Sequence, residues 1–338
     1  MKGILNLVRN EEISNYLRTK RDMKKILVTA GGTATAWHIC SVAQKYYKDE
    51  ISIIVTDIND PDSVPSVVLA EKVIQVPYSD DLNYVDVIDN VIKEEQIDCI
   101  IPLIPQEAFL FHPESNVIIS NNIFTTIPPI KTVEILADKK KLYSFLLEEK
   151  IPTPRIYEVE DVDDEKTYIV KPRLGFGSIG VDVLKGSELR NGCKDFDSFV
   201  IQEYCRSDDY DEVTVEVFNS IDRIQMFARR REEVKSGVCT KMQPVSIEPF
   251  KKYVDDIVKS IECPIALNVQ FLRDRDEWKL FDFNLRLPAG TALSTAIGFQ
   301  LTRALLAEII GKPVKDEYFK VDKSVKHVLR TYQEIAIR

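Results

Sequence analysis

The strongest constraint on the fold is an alternation of short apolar runs with amphipathic stretches near the start of the chain. KKILVTA (24–30), ISIIVTD (51–57) and DCIIPLI (98–104) are rich in branched residues and read as buried strands. Between them lie a helical stretch that follows Gly31-Gly32-Thr33 and runs to about Tyr47, and DLNYVDVIDNVIKEEQ, whose apolar residues recur at helical spacing. Parallel strands need crossover connections, and helices of this length provide them, so the segment is expected to form a parallel α/β sheet. Residues 1–23 have no place in this pattern and stand as an N-terminal extension.

The pattern changes near Asn116. Helices are expected from about Lys131 and over DKKKLYSFLLEEK, with Asp138 placed to accept unpaired amides at the start of the second. Beyond Pro152 and Pro154 the short runs TYIVKP, GVDVLK, SFVIQEY, DEVTVEVF and RIQMFARRR predict an antiparallel sheet. The helix FKKYVDDIVKSI then leads to a strand pair, IALNVQFLRD and EWKLFDFNLR. A helix from Ser294 to Ile310 ending at Gly311, and a last strand in KHVLRTYQEIAI, complete the expectation.

Composition removes several classes of protein. With 338 residues, 44% of them hydrophobic, the chain can bury more than one core. Its 45 basic and 54 acidic side chains give a net charge of −9, which argues against nucleic-acid or membrane-surface binding and leaves anion binding to local clefts. No apolar run approaches the roughly 20 residues of a membrane span, and the first residues are charged where a signal peptide would be apolar. A cytoplasmic location is expected. The six cysteines lack the paired spacing of a zinc site and read as buried thiols, while His38, His112 and His327 show no ligand or triad spacing.

Two constellations carry chemistry. Lys171 precedes a loop holding Gly175, Gly177, Ser178 and Gly180, between the strands TYIVKP and VDVLK. Closely spaced glycines let a row of backbone amides surround phosphate oxygens, with the lysine as neighbouring cation; a glycine-rich hairpin with an exposed lysine is the plain alternative. In the second, Asn268 and Gln270 share one strand face at period two, as do Asp282, Asn284 and Arg286 on the partner strand. Val269, Phe271, Phe281, Phe283 and Leu285 then point into a core. The oxygen donors of Gln270, Asp282 and Asn284 suit Mg2+ (or Mn2+), and Arg286 suits a phosphate or carboxylate; a solvated polar sheet face is the alternative.

In this order the two constellations resemble the ATP-grasp superfamily, and within it the carbamoyl-phosphate-synthase-like carboxylate ligases. The resemblance runs from Lys24 to about Pro313. It implies an α/β and α+β chain: an N-terminal Rossmann-like (pre-ATP-grasp) domain at 24–118, a central ATP-grasp subdomain with the glycine-rich lid at 119–204, and a C-terminal subdomain with the metal site at 205–338. It implies that Lys139 and Lys171 contact ATP phosphates, that Gln202, Glu203 and Tyr204 form the adenine hinge, and that Glu212 takes the ribose. Asn268 would assist at the phosphates, and Arg286 would stabilise the transition state. Arg231 and Lys241, in the arginine-rich segment after the hinge strands, are candidates for binding anions. Asp282 stands where the family usually has glutamate, and Glu107 is a weaker candidate for touching substrate.

The implied activity is ATP-dependent joining of a carboxylic acid, an amino acid among the options, to an amine through an acyl phosphate. A homodimer is a compatible assembly. Two other readings stay open: a nucleotide-binding module without ligase activity, and an NAD-dependent oxidoreductase. The latter is suggested by the first strand, its glycine turn and Asp57, although the dinucleotide fingerprint is incomplete.

Overall fold

The computed structural model describes residues 23–175, 179–192, 196–205, 211–235 and 237–337. It divides into two compact units. One holds the described residues up to Ile127, together with Ser294–Asp322 and those from Tyr332; the other comprises Pro128–Leu293 and Lys323–Thr331.

The first unit is built on a parallel five-stranded sheet, β1 (Lys24–Val28), β2 (Ile51–Asp57), β3 (Lys72–Gln75), β4 (Cys99–Ile101) and β5 (Phe124–Thr125), in the order β3-β2-β1-β4-β5. The apolar runs fill its centre: every residue of β2 and β4 is buried. The edge strand β3, KVIQ, has no fully buried residue. Helix α1 (Ala34–Tyr47) begins on the Thr33 side chain, which accepts the Ala36 amide, and α2 (Tyr84–Glu95) packs Tyr84, Ile88, Val91 and Ile92 into the core with Leu27, Ile54 and Ile100. Helix α3 (Asn116–Asn121) adds Val117 and Ile118 to that core.

In the second unit, α4 (Ile130–Ala137) and α5 (Lys139–Glu148) precede an antiparallel sheet of β6 (Ile156–Tyr157), β7 (Thr167–Pro172), β8 (Asp182–Lys185) and β9 (Phe199–Glu203), ordered β6-β9-β7-β8; α6 (Gly186–Gly192) follows β8. A second antiparallel sheet contains β10 (Asp211–Asn219), β11 (Ile224–Lys235), β12 (Val238–Val245), β13 (Ala266–Asp274), β14 (Glu277–Asn284) and β15 (Val328–Leu329), ordered β14-β13-β10-β11-β12-β15. Helix α7 (Glu248–Ser260) packs against it, with the Phe250 ring 4.9 Å from those of Phe271 and Trp278.

Three local expectations are corrected. The helix expected from Ser294 to Ile310 is interrupted, because Gly298 takes φ 105° and a side chain there would overlap the Lys320 carbonyl; two helices result, α8 (Thr291–Thr295) and α9 (Leu301–Ile309). Helix α9 belongs to the first unit, where the Tyr47 hydroxyl donates to the Arg303 carbonyl, although the sequence division placed it in 205–338. The last strand shrinks to the two residues of β15, paired with Lys241 and Met242 of β12.

Candidate active site

The candidate site grows from the β13–β14 hairpin, which turns at Arg275 with φ 56°. Antiparallel register sets Gln270 opposite Asp282 and Asn268 opposite Asn284, so four oxygen-bearing side chains share one face. The Asn284 amide donates to Asn268 Oδ1 at 3.2 Å and to Asp282 Oδ2 at 3.3 Å. The opposite face was expected to carry Phe281, but a bulge shifts the pairing so that Leu280, not Phe281, meets Phe271 in the core. The freed Phe281 ring stands 5.8 Å from the Lys171 amine.

The same face continues across β10 and β11, where Glu212 lies opposite Leu272, Thr214 opposite Gln270 and Arg229, and Glu216 opposite Asn268. Arg231 donates to the Glu212 carboxylate, to Gln270 Oε1 at 3.0 Å and to the Gly237 carbonyl at 2.9 Å. Arg229 pairs with Glu216 at 3.0 Å in full burial. Arg286 follows β14 half-buried and donates to the Leu287 carbonyl at 3.4 Å.

Lys171, near the end of β7, is 7% exposed, and its amine donates to the Tyr143 hydroxyl at 2.6 Å. Desolvation pulls this amine down to about 7, against the attraction of Asp282. Asp138 caps α5 by accepting the Lys140 and Lys141 amides; against the cost of burial, these and the Arg173 guanidinium hold its carboxyl low. The Lys139 amine donates to the Gly175 carbonyl at 3.1 Å, which joins this helix to the glycine loop. Gly180, at φ 71°, uses the backbone freedom that the loop demands. Gly177 and Ser178 lie outside the described residues.

In the hinge, Gln202 turns its side chain inward to Tyr143, and Tyr204 follows half-buried. Glu203 accepts from Lys279 at 2.9 Å and from the Arg155 amide at 3.2 Å, and these bonds hold it low despite partial burial. Lys279 also donates to Asp274 at 2.9 Å and lies 3.9 Å from Cys205 Sγ. The acidic cluster of Glu203, Cys205 and Asp274 therefore already contains its cation.

Lys241 is not brought to the site. A bulge at Glu232 sets Met242, not Lys241, opposite Arg231, so Lys241 projects from the other face and pairs with Glu232, beside His327. Glu107 is equally occupied: fully buried, it accepts from Thr29 at 2.6 Å, from the Tyr84 hydroxyl and from the Ile104 amide. At the glycine turn, Asp57 is spent on Gly32 at 2.7 Å and on both nitrogens of Asn59, and so is not free for a dinucleotide ribose. The five described cysteines are free and buried, and burial pushes Cys40, Cys205 and Cys263 up to about 12.

Sequence reasoning missed Tyr143, Lys279 and the Glu216–Arg229 pair. The period-two run Glu212, Thr214, Glu216 was a visible sign of the last; Tyr143, within an apolar helix stripe, gave none.

The second unit combines two antiparallel sheets, the buried Lys171 ahead of a glycine-rich segment and an oxygen-rich strand pair, and comparison with known proteins identifies its class. The ATP-grasp domain model matches residues 136–289, and a PylC-like N-terminal domain model matches 26–123. Residues 136–289 thus form an ATP-grasp domain, preceded by a domain of the PylC-like N-terminal kind.

Among solved structures, the biotin carboxylase domain of Hydrogenobacter thermophilus 2-oxoglutarate carboxylase, in complex with MgADP, ADP and bicarbonate, is 16% identical with TM-score 0.71, over 90% of this chain and 73% of that one. N5-carboxyaminoimidazole synthetase from Staphylococcus aureus is 17% identical with TM-score 0.67, over 88% and 80%. L-amino acid ligase from Bacillus licheniformis is 16% identical with TM-score 0.65, over 89% and 77%. At these identities the likeness is one of fold. No curated protein sequence matches the chain significantly. No helix among the described residues is long and apolar enough to cross a membrane.

Proposed function

We infer that the protein is an ATP-dependent carboxylate–amine ligase. The observation that carries this reading is the register that sets Gln270 against Asp282 and Asn268 against Asn284, in the same unit as the buried Lys171. The donor set fits magnesium, being oxygen-only with a single carboxylate, which leaves coordination for phosphate and water. Gln270, Asp282 and Asn284 would hold the ion, which when bound neutralises charge on the triphosphate.

ATP is a substrate here. Lys139, Lys171 and the amides at Gly175 and Gly180 hold its phosphates, the hinge at 202–204 lines the adenine, and Glu212 takes the ribose. An oxygen of the acid attacks the γ-phosphorus, the bond to the β–γ bridging oxygen breaks, and ADP leaves. The amine then attacks the acyl carbon, phosphate departs with the C–O bond, and the nitrogen loses a proton. A carboxylate repels nucleophiles and has no good leaving group, whereas the acyl phosphate has one. Phosphoryl transfer needs chiefly positioning and charge neutralisation, which Lys171 and Arg286 supply without a side-chain nucleophile. The ligands and names of the structural neighbours support this reading: MgADP in one and an amino acid ligase in another.

The test is an ADP-release screen over paired acids and amines, with mass detection of the product. A productive pair is expected, and Lys171→Ala and Asn284→Ala are each expected to lose at least 100-fold in rate, in the range of removing one transition-state contact. Full turnover by folded Asn284→Ala would overturn the metal assignment. Asp282, one methylene shorter than glutamate, favours a second reading, nucleotide binding without ligation; binding with no ADP release across the whole panel would establish it.

A further inference from the structure

Tyr143 lies on α5, outside every constellation used above, yet its hydroxyl is where three other elements meet. It is fully buried. Its oxygen is 2.9 Å from Gln202 Oε1 on β9, 2.9 Å from the Phe281 carbonyl on β14 and 2.6 Å from the Lys171 amine on β7. A phenol has one proton. Gln202 and Phe281 both offer acceptors for it, so the oxygen's lone pairs are left to face the lysine. The polarity is thereby fixed: Tyr143 accepts, Lys171 donates. The amine also faces two aromatic rings, with the Tyr143 and Phe281 ring centres at 5.2 and 5.8 Å, and feels the charges of Asp282 and Lys139. The Tyr143 oxygen is the one hydrogen-bond acceptor that Lys171 meets among the described residues.

Two of these features come from the chain's own irregularities. Phe281 reaches the lysine because the β14 bulge removes it from the core, and the same bulge leaves its carbonyl free to accept from Tyr143. Gln202, one residue before Glu203, faces inward for the same hydroxyl.

We propose that Tyr143 is a positioning residue for Lys171, fixing where the amine sits so that its remaining N–H groups are presented to the nucleotide phosphates. This rests on the reading of Lys171 as a phosphate ligand. Without the hydroxyl the amine loses the acceptor that fixes it, and it either shifts toward the neighbouring acceptors and Asp282 or stays unpartnered. Both outcomes cost phosphate affinity. The effect acts wholly through Lys171, which makes it separable from a packing role.

A double-mutant cycle read by calorimetric titration of ADP with magnesium tests this. In the otherwise unchanged protein, Tyr143→Phe is expected to weaken ADP binding roughly ten-fold, equivalent to about 1.4 kcal/mol. In a Lys171→Met background the same substitution is expected to change affinity less than about two-fold, because nothing is left to position. Thr153→Val, which removes a partly buried hydroxyl that donates to β14 at the Leu280 carbonyl, serves as the control and is expected to leave ADP affinity unchanged. An equal loss from Tyr143→Phe in both backgrounds would reduce Tyr143 to packing, and no loss in either would also overturn the proposal; in both cases the nucleotide reading stands. Absence of ADP binding by the unsubstituted protein would remove both.

Discussion

Burial brings the Lys171 amine from an ordinary 10.5 to about 7, with Asp282 opposing and Lys139 reinforcing the shift. The sign of the linkage follows. Between those two values the unfolded chain binds more protons than the folded one, so this group's contribution to stability is fully present above pH 10.5 and is lost as pH falls through about 7. Phosphate placed beside the amine favours its charged form, so nucleotide binding must raise the bound-state value and take up a proton at pH 8. Titrations of ADP with magnesium at pH 8, in two buffers of different ionisation enthalpy, are expected to report an uptake approaching one proton, which Lys171→Met abolishes. Equal heats in both buffers would place the phosphates elsewhere.

At the scale of elements, the turn after β14 is fixed by one glycine. A Cβ on Gly290 would overlap the Arg229 guanidinium. That side chain is long, but it cannot swing away cheaply, because it is 3% exposed and pairs with the wholly buried Glu216. Gly290→Ala is therefore expected to separate a buried ion pair, at a cost of roughly 3 kcal/mol, or about 6–12 °C in the melting temperature of the second unit. Gly175→Ala, whose Cβ would meet Pro172 at an ordinary 3.4 Å, is the contrasting case and is expected to leave melting unchanged. Calorimetric melting of the two variants distinguishes them. Regular elements of this kind were legible in the sequence because period two and branched apolar runs reflect burial directly: β1, β2, β4, β13 and β14 all follow from it. Period counting failed where a bulge resets it. The extra residue at Glu232 turns Lys241 away from Arg231, and the one near Phe281 turns that ring toward Lys171. The half-exposed edge strand β3 offered no apolar alternation to read. The register that builds the site was legible; Tyr143 and Lys279 were not, since what they touch is decided by elements distant in sequence.

For the molecule as a whole, the two units predict different answers to the same ligands. The second unit holds the buried lysine, the hinge and the oxygen-rich strand pair, whereas the first holds a glycine turn whose acid is consumed by Gly32 and Asn59. A ligand that binds only the folded state stabilises it by an amount set by its concentration over its dissociation constant, about 2.7 kcal/mol at a hundred-fold excess. Amides of the second unit that exchange only through its opening should therefore slow roughly 100-fold under saturating ADP with magnesium. The expected hydrogen-exchange pattern is protection concentrated in β7, β9, β13 and β14, with Asn284→Ala reducing it. NAD at the same concentration is expected to protect neither unit. Protection by NAD centred on Gly31, Gly32 and Thr33 would restore the oxidoreductase reading and reverse the assignment of nucleotide chemistry to the second unit, because the Asp57 carboxylate would then have to exchange the Gly32 amide for a ribose hydroxyl.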